Sequence, residues 1–284
     1  MAVTRINEPV RLGSGEFTEF RDYLQKIAGI HLGHNKQYLV ATRIRRILIE
    51  HEFANLAELT SAIQSATNRA IRQKVIDAMT TNETFWFRDG YPFDFLHRHV
   101  LPEFLNSHPD GNIRLWSAAC SYGQEPYSIS MVLEEFGKNI YRGDALKAEV
   151  IATDLSTSVL SMAMRGEYDS LSIARGLTGP RLKNHFDIVG RDAWRIKPRI
   201  RARVNFLALN LQNGFAALGK FDVIFCRNVL IYFSEELKME ILRRMRMSLN
   251  RNAYLILGAS ESVTGAHDLF DVVQCESGVV YRAR

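Results

Sequence analysis

Four short segments of this 284-residue chain place polar residues inside apolar surroundings, and their types suggest one kind of chemistry. The first is Cys120-Ser121-Tyr122-Gly123-Gln124-Glu125-Pro126. Pro126 suits the first turn of a helix, and Gly123 lets a ligand approach the backbone closely. The loop is too poor in glycine to cradle a phosphate. Neither GxGxxG nor GxxxxGK followed by Ser or Thr occurs, which speaks against NAD and ATP. Glu125 sets an anion at a helix N-terminus, wrong for a phosphate but suited to a cationic ligand. The second segment is Ile151-Ala152-Thr153-Asp154. An acidic residue at the end of a second strand is where a ribose is gripped through its hydroxyls. The third is Ala208-Leu209-Asn210-Leu211, and the fourth is Phe225-Cys226-Arg227-Asn228-Val229-Leu230-Ile231-Tyr232-Phe233. In the fourth, Arg227-Asn228 interrupts an apolar run and Tyr232 follows. A ribose, a base, a cation and no phosphate together describe S-adenosylmethionine, whose sulfonium and ammonium are positive.

These segments need elements that bring them to one edge. IRLWSAAC (113–120), AEVIATD (148–154), FDVIFC (221–226) and AYLILGAS (253–260) read as strands, with VNFLAL before Asn210 as another. Between them lie helical patterns: 126–136 with Ile129, Val132, Leu133 and Phe136 on one face, 156–166 capped by Ser156, and 234–249 capped by Ser234. Strands alternating with helices mean a mostly parallel sheet, with ligands beyond the carboxyl ends of its strands. FDVVQC (270–275), ESG and VVYRA (279–283) form a hairpin, hence an antiparallel edge. The stretch of about 184–204 alternates like short antiparallel strands and is expected to be a small β insert.

Residues 1–88 show helix periodicity only. Phe17, Phe20, Leu24 and Ile27 mark one helix; Val40, Ile44, Ile47, Leu48 and His51 mark a second, from about Lys36 to Phe53. Asn55 followed by Glu58 resembles a capping box and opens a third helix, and Ile71, Val75 and Met79 mark a fourth. A helix with Phe93, Leu96 and Val100 then leads into the first strand. The expected division is 1–89, an all-α helical domain, and 90–284, an α/β domain of Rossmann-like methyltransferase type with the β insert.

Composition narrows the classes further. The chain is 46% hydrophobic with a net charge of +5, enough to suit an acidic partner but too little for nucleic acid without a basic stripe. No run of ~18 apolar residues is present to cross a membrane. Met1–Val10 lacks the apolar core of a signal peptide. Cys120, Cys226 and Cys275 are odd in number with no CxxC, which fits a reducing cytoplasm and no disulfide. His31 and His34 lack further ligands, so no metal is expected.

With these motifs in order, the sequence resembles the chemoreceptor glutamate methyltransferases, the CheR family. Thr81-Asn82-Glu83-Thr84-Phe85-Trp86-Phe87-Arg88 is similar to that family's TxNET-x-FFR stretch, and 116–129 to its WSAACSTGEEPYSI. Departures are Tyr122 for Thr, Gln124 for Glu and Trp86 for Phe. The resemblance covers nearly the whole chain and implies a class I S-adenosylmethionine-dependent fold. It also implies roles. Asn82, Thr84 and Arg88 reach the cofactor, Gly123 and Glu125 meet its methionine ammonium, and Asp154 its ribose. Asn210 and Leu211 flank the adenine, and Asn228 and Val229 close the methionine end. Tyr232 stands near the transferred methyl, and Arg43 and Arg46 meet the acidic helical receptor. The implied reaction esterifies the γ-carboxylate of receptor glutamates, leaving S-adenosylhomocysteine. A monomer without nucleic acid or membrane insertion is expected, acting in the cytoplasm at receptor arrays.

A glutamate is already ionised at neutral pH, at an unperturbed pKa near ~4.3, so no general base is needed. Orientation and desolvation are the levers, with Arg88 offsetting the dehydration of a carboxylate, the cofactor's or the substrate's. Each residue also has a plain structural reading. Asp154 could cap the helix after it, and Tyr232 could be a core tyrosine. Phe85-Trp86-Phe87 could be a hydrophobic plug, and Arg43, Arg46 and Glu50 a solvated face. Two other functions share the pattern: a nucleic-acid methyltransferase, suggested by pI ≈ 9.1 but lacking an Asn-Pro-Pro-Tyr tetrapeptide, and a non-catalytic S-adenosylmethionine sensor.

Overall fold

The structure is a computed structural model that describes residues 12–109, 111–138 and 146–284. The leader reading on Met1–Val10 therefore lies outside the described residues. Two compact units divide the chain: one runs to Thr81 and includes Tyr232–Ser234, and the other holds Asn82–Ile231 and Glu235–Arg284.

The first unit is four helices, α1 (Ser14–Ala28), α2 (Gln37–Glu50), α3 (Leu56–Gln64) and α4 (Arg69–Met79). Apolar residues at helical spacing form its core: Phe17, Phe20 and Leu24 of α1, Val40 and Ile44 of α2, Leu56, Leu59 and Ile63 of α3, and Val75 of α4 are all buried. Asn55 caps α3 by accepting the Glu58 N–H at 2.9 Å, and the Glu58 carboxylate accepts the Ala54 N–H at 2.7 Å. The paired signal read from Asn55 and Glu58 thus acts as expected, shifted by one residue on its return arm.

The second unit opens with a tight turn in which Phe87, Asp89 and Gly90 all have positive φ. Helix α5 (Tyr91–Phe95), a π turn (Leu96–Val100) and α6 (Leu101–Ser107) follow. Then come β1 (Asn112–Ala118), α7 (Gln124–Lys138), β2 (Lys147–Asp154), α8 (Thr157–Arg165), β3 (Glu167–Tyr168), α9 (Ser170–Ala174) and α10 (Gly179–His185). They are followed by β4 (Phe186–Gly190), β5 (Ala193–Ile196), α11 (Pro198–Arg201), β6 (Val204–Ala208) and β7 (Phe221–Cys226). The last elements are α12 (Glu235–Ser248), β8 (Leu249–Leu257), β9 (Phe270–Cys275) and β10 (Gly278–Ala283).

Seven strands form the main sheet in the order β6-β2-β1-β7-β8-β10-β9. The first five are parallel, and β10 runs antiparallel to both β8 and β9. Central strands are buried on both faces, hence their unbroken apolar runs: Leu115, Trp116, Val150, Val223, Ile224, Phe225, Leu255 and Ile256 are all inaccessible or nearly so. Ala118 sits opposite both Thr153 and Cys226, and Asp154 opposite Ala208, so the carboxyl ends of four strands share one edge.

The insert differs from its sequence reading. It is a three-stranded sheet ordered β3-β5-β4, so it starts at Glu167 rather than at about 184. Residues 198–201 are helical, and Val204 begins a strand of the main sheet. The missed strand has only two residues, too short for alternation to register. Pro198 takes the first turn of a helix, where its missing N–H costs nothing.

Candidate active site

The four polar segments, the last as far as Ile231, and the 82–89 stretch lie at the carboxyl edge of the main sheet. The loop after β1 is bent by three positive φ values, at Ala119 (61°), Ser121 (51°) and Gly123 (92°). Gly123 is required on two counts: its φ favours glycine, and a Cβ there would stand 3.0 Å from that of Ala163 and 3.1 Å from the Tyr168 hydroxyl. Asp154, at the end of β2, holds this loop. One carboxylate oxygen accepts the Ser121 N–H at 2.8 Å, and the other accepts the Ser156 N–H at 2.9 Å. The helix-start reading of Asp154 is therefore realised in part. Ser156 itself caps α8 through the Val159 N–H.

Glu125 is not a free anion. One oxygen accepts the Ser117 hydroxyl at 2.7 Å and the other the Arg227 guanidinium at 3.0 Å. Arg227, 2% exposed, also donates to Asp89 at 2.6 Å and to the Arg88 carbonyl at 2.8 Å. It thus ties the ends of β1 and β7 to the turn that carries Arg88. Arg88 is half-buried, donates to the Glu83 carbonyl at 3.0 Å and lies over the Phe85 ring. The Asn82 carbonyl accepts the Ser121 hydroxyl at 2.9 Å, and Thr84 is half-buried.

Asn228 has φ 58°, and the backbone N–H groups of Asn228, Val229 and Leu230 all point at the Glu261 carboxylate, at 2.6–2.9 Å. Asn210 accepts the Gln212 N–H, and Leu211 is buried. Tyr232 groups with the helical unit, where its carbonyl accepts the His31 N–H at 2.8 Å. In that unit Arg43 donates to the carbonyls of Met79 and Thr80, closing the end of α4, whereas Arg46 is exposed.

Sequence reasoning missed Glu261 and the anchoring part of Arg227. Arg227 was visible as a polar break in FDVIFCRNVLIYF. Glu261 lies 33 residues beyond Asn228 and carries no local signal. Cys120 and Cys226 are buried, and burial pushes both thiols well above their ordinary range, so they pack rather than react.

The buried oxygens Gln124 Oε1 and Asn228 Oδ1 lack a donor and lie on segments that the Glu125–Arg227 pair joins. Orphaned acceptors beside a buried carboxylate suit a ligand bringing ammonium or amide hydrogens and repel a phosphate. Asp154, at the neighbouring strand end, suits hydroxyl donors. This donor and acceptor set fits S-adenosylmethionine. Among the described residues, no group of His, Cys, Asp or Glu could hold a metal, and no helix is long and apolar enough to cross a membrane.

A mostly parallel seven-stranded sheet, closed by an antiparallel hairpin and carrying such an edge, is that of the Rossmann-like S-adenosylmethionine-dependent methyltransferases. Residues 82–279 match the CheR methyltransferase, SAM binding domain, and residues 15–80 the CheR methyltransferase, all-alpha domain. The chain belongs to the CheR methyltransferase family and is an S-adenosylmethionine-dependent methyltransferase of chemotaxis. It is 48% identical to chemotaxis protein methyltransferase Cher2 of Pseudomonas putida, over 96% of this chain and 99% of that protein. It is also 48% identical to chemotaxis protein methyltransferase 1 of Pseudomonas aeruginosa, over 95% of this chain and 98% of that one. The chemotaxis protein methyltransferase of Vibrio parahaemolyticus is 43% identical, over 97% and 99%. Membership sets aside the sensor reading.

Proposed function

We propose that the protein methylates the γ-carboxylate of specific glutamates in chemoreceptors, giving neutral methyl esters, and that the residues named from the sequence form its site. The observation that carries this reading is the pairing of family membership with a strand edge rich in acceptors.

S-adenosylmethionine supplies an electrophilic methyl group on a sulfonium. Asp154, at the end of β2 and bound to the loop after β1, takes the ribose hydroxyls. The orphaned oxygens of Gln124 and Asn228, with Glu125, accept the ammonium, and Arg227 pairs with Glu125 in its buried position. Gly123 lets the backbone approach, Asn210 and Leu211 flank the base, and Val229 lines the methionine end. Asn82 and Thr84 hold the same ligand from the segment before Arg88. Arg88 orients a carboxylate and offsets its dehydration. Tyr232 is the residue that the resemblance sets near the transferred methyl. Aligning an anionic nucleophile that needs no deprotonation is worth about 7–11 kcal/mol where orientation is good.

The helical part, read as 1–89, recognises the receptor, and 90–284 binds the cofactor. Support comes from α2, whose outer face carries the 83%-exposed Tyr38 and a shallow groove of about 500 Å³ lined by Thr42, Arg45, Arg46, Ile49 and Glu50. A basic groove suits a segment rich in glutamates. Arg46 is exposed on this face beside Glu50, whereas Arg43 donates to the Met79 and Thr80 carbonyls and the Thr81 hydroxyl. The insert hairpin turns through Arg191 and Asp192 alone, and this short turn supports methylation without docking of a receptor tail peptide. Micromolar binding of a tail pentapeptide would overturn that part.

The test is transfer of tritiated methyl to receptor membranes, with counts released as methanol by mild base. Counts stable to base, or counts on RNA or DNA rather than receptor, would defeat the proposal.

A further inference from the structure

The stretch Asn82–Arg88 is gripped from two sides. From the main sheet, the Ser121 hydroxyl donates to the Asn82 carbonyl, Ser128 accepts the Phe87 N–H at 3.2 Å, and Arg227 donates to the Arg88 carbonyl. The opposite side belongs to the insert and the loop after α9. The Trp86 ring is fully buried, edge-on to Tyr168 of β3 at 4.8 Å and to Phe186 of β4 at 5.3 Å. The Trp86 backbone N–H donates to the Arg175 carbonyl at 3.1 Å. The Arg175 guanidinium pairs with Glu83 at 2.5 Å and lies 5.4 Å from the centre of the Phe85 ring. Gly176 follows with φ 86°, and a Cβ there would stand 2.0 Å from the Trp86 carbonyl oxygen. No side chain fits that gap, so the two backbones can close only over glycine.

We propose that the Arg175-Gly176 turn is a positioning element for the cofactor-binding stretch, setting where Asn82, Thr84 and Arg88 stand. The proposal rests on the site reading above. Its physical basis is strain. Phe87 at φ 50° and Asp89 at φ 66° are held in a region that side-chain-bearing residues avoid, and such backbone persists only where its surroundings over-determine it. Trp86, one residue before the strained pair, is the point at which the insert fixes the chain. Arg175 alone meets three features of the stretch: the charge of Glu83, the ring of Phe85 and the amide of Trp86. The insert is thereby part of the methyl-transfer machinery, whether or not a peptide ever docks on it.

Two variants test this. Gly176→Ala forces the turns apart. Arg175→Glu sets two carboxylates face to face at positions 52% and 61% exposed, where loss of a pair moves global stability little. Both should weaken S-adenosylhomocysteine binding, measured by calorimetry, by about tenfold. Both should raise KM for S-adenosylmethionine more than they lower kcat, because ground-state contacts are lost. Exchange of the Trp86 amide hydrogen should accelerate in each. Adding Glu83→Arg to Arg175→Glu should restore affinity to within about twofold, at an unfolding midpoint that never moved. Affinity and KM unchanged in both variants would overturn the proposal, as would failure of the swapped pair to rescue. Asp154→Ala runs as the control: if it also binds normally, the site reading itself is wrong, and if it alone binds poorly, only the positioning element falls.

Discussion

Replacing Arg227 by leucine should cost the sheet unit about 3–5 kcal/mol, the range for breaking a buried ion pair from one side. The side chain is 2% exposed and Glu125 11%, so the stranded carboxylate keeps Ser117 as a donor but gains almost no water. Asp89 contributes little, since at 29% exposure it can hydrate once released. Leucine fills most of the volume, which keeps a cavity penalty out of the comparison. With a urea slope near ~3 kcal/mol per molar, the midpoint falls by about 1–2 M. Trp86, Trp116 and Trp194 all lie in this unit, so tryptophan fluorescence reports its unfolding. The decisive measurement is the double variant Arg227→Leu with Glu125→Gln. Neutralising the stranded charge should recover more than half of the loss, and the coupling between the sites should exceed about 1 kcal/mol. A single-variant loss below about 1 kcal/mol, or equal loss in the double variant, would refute the view that Arg227 exists to balance Glu125.

Other outcomes follow from the same geometry. Asp154→Ala should weaken S-adenosylhomocysteine about 10- to 150-fold, the equivalent of about 1.5–3 kcal/mol, by calorimetry on folded protein. Arg88→Ala should abolish or severely slow methyl transfer to receptor membranes with little change in melting temperature, because its guanidinium meets the Glu83 carbonyl and the Phe85 ring of its own stretch. Arg46→Glu should lower receptor methylation without changing cofactor affinity, whereas Arg43→Glu should also lower the melting temperature, as it sets a carboxylate against the carbonyl end of α4. For Glu135, burial pushes the carboxyl up, but hydrogen bonds from His185 and Arg181 prevail and hold it at about 2 against an ordinary 4.5. Its contribution is therefore full above about pH 4.5 and is lost as pH falls toward 2, so Glu135→Gln should flatten the acid limb of a melting-temperature profile there.

The elements were legible where burial is two-sided or periodic. β7 runs Phe221–Cys226 as read, because a central strand needs an unbroken apolar run. The helices of the first unit declared themselves through Phe17, Phe20, Leu24 and the Asn55 cap. The insert was read less well: β3 pairs through Glu167 and Tyr168 alone, and two residues show no period. In the site, Asp154 and Glu125 were visible because a carboxylate at a strand end has few structural excuses. The long-range pairings of the site were not visible. Arg227 and Glu261 act through contacts 102 and 33 residues away, and no local spacing encodes such pairings.

Glu261 bears on ligand choice as much as on loop geometry. Its carboxylate receives the N–H groups of Asn228, Val229, Leu230 and Ile231 and that of Gly258. A row of amides turned to one point is the device by which nucleotide-binding folds seize a pyrophosphate. Here the protein answers that row with its own anion, three residues past Gly258 in the chain. The five amides are already satisfied from within the fold, and an incoming phosphate would have to displace the Glu261 carboxylate to reach them.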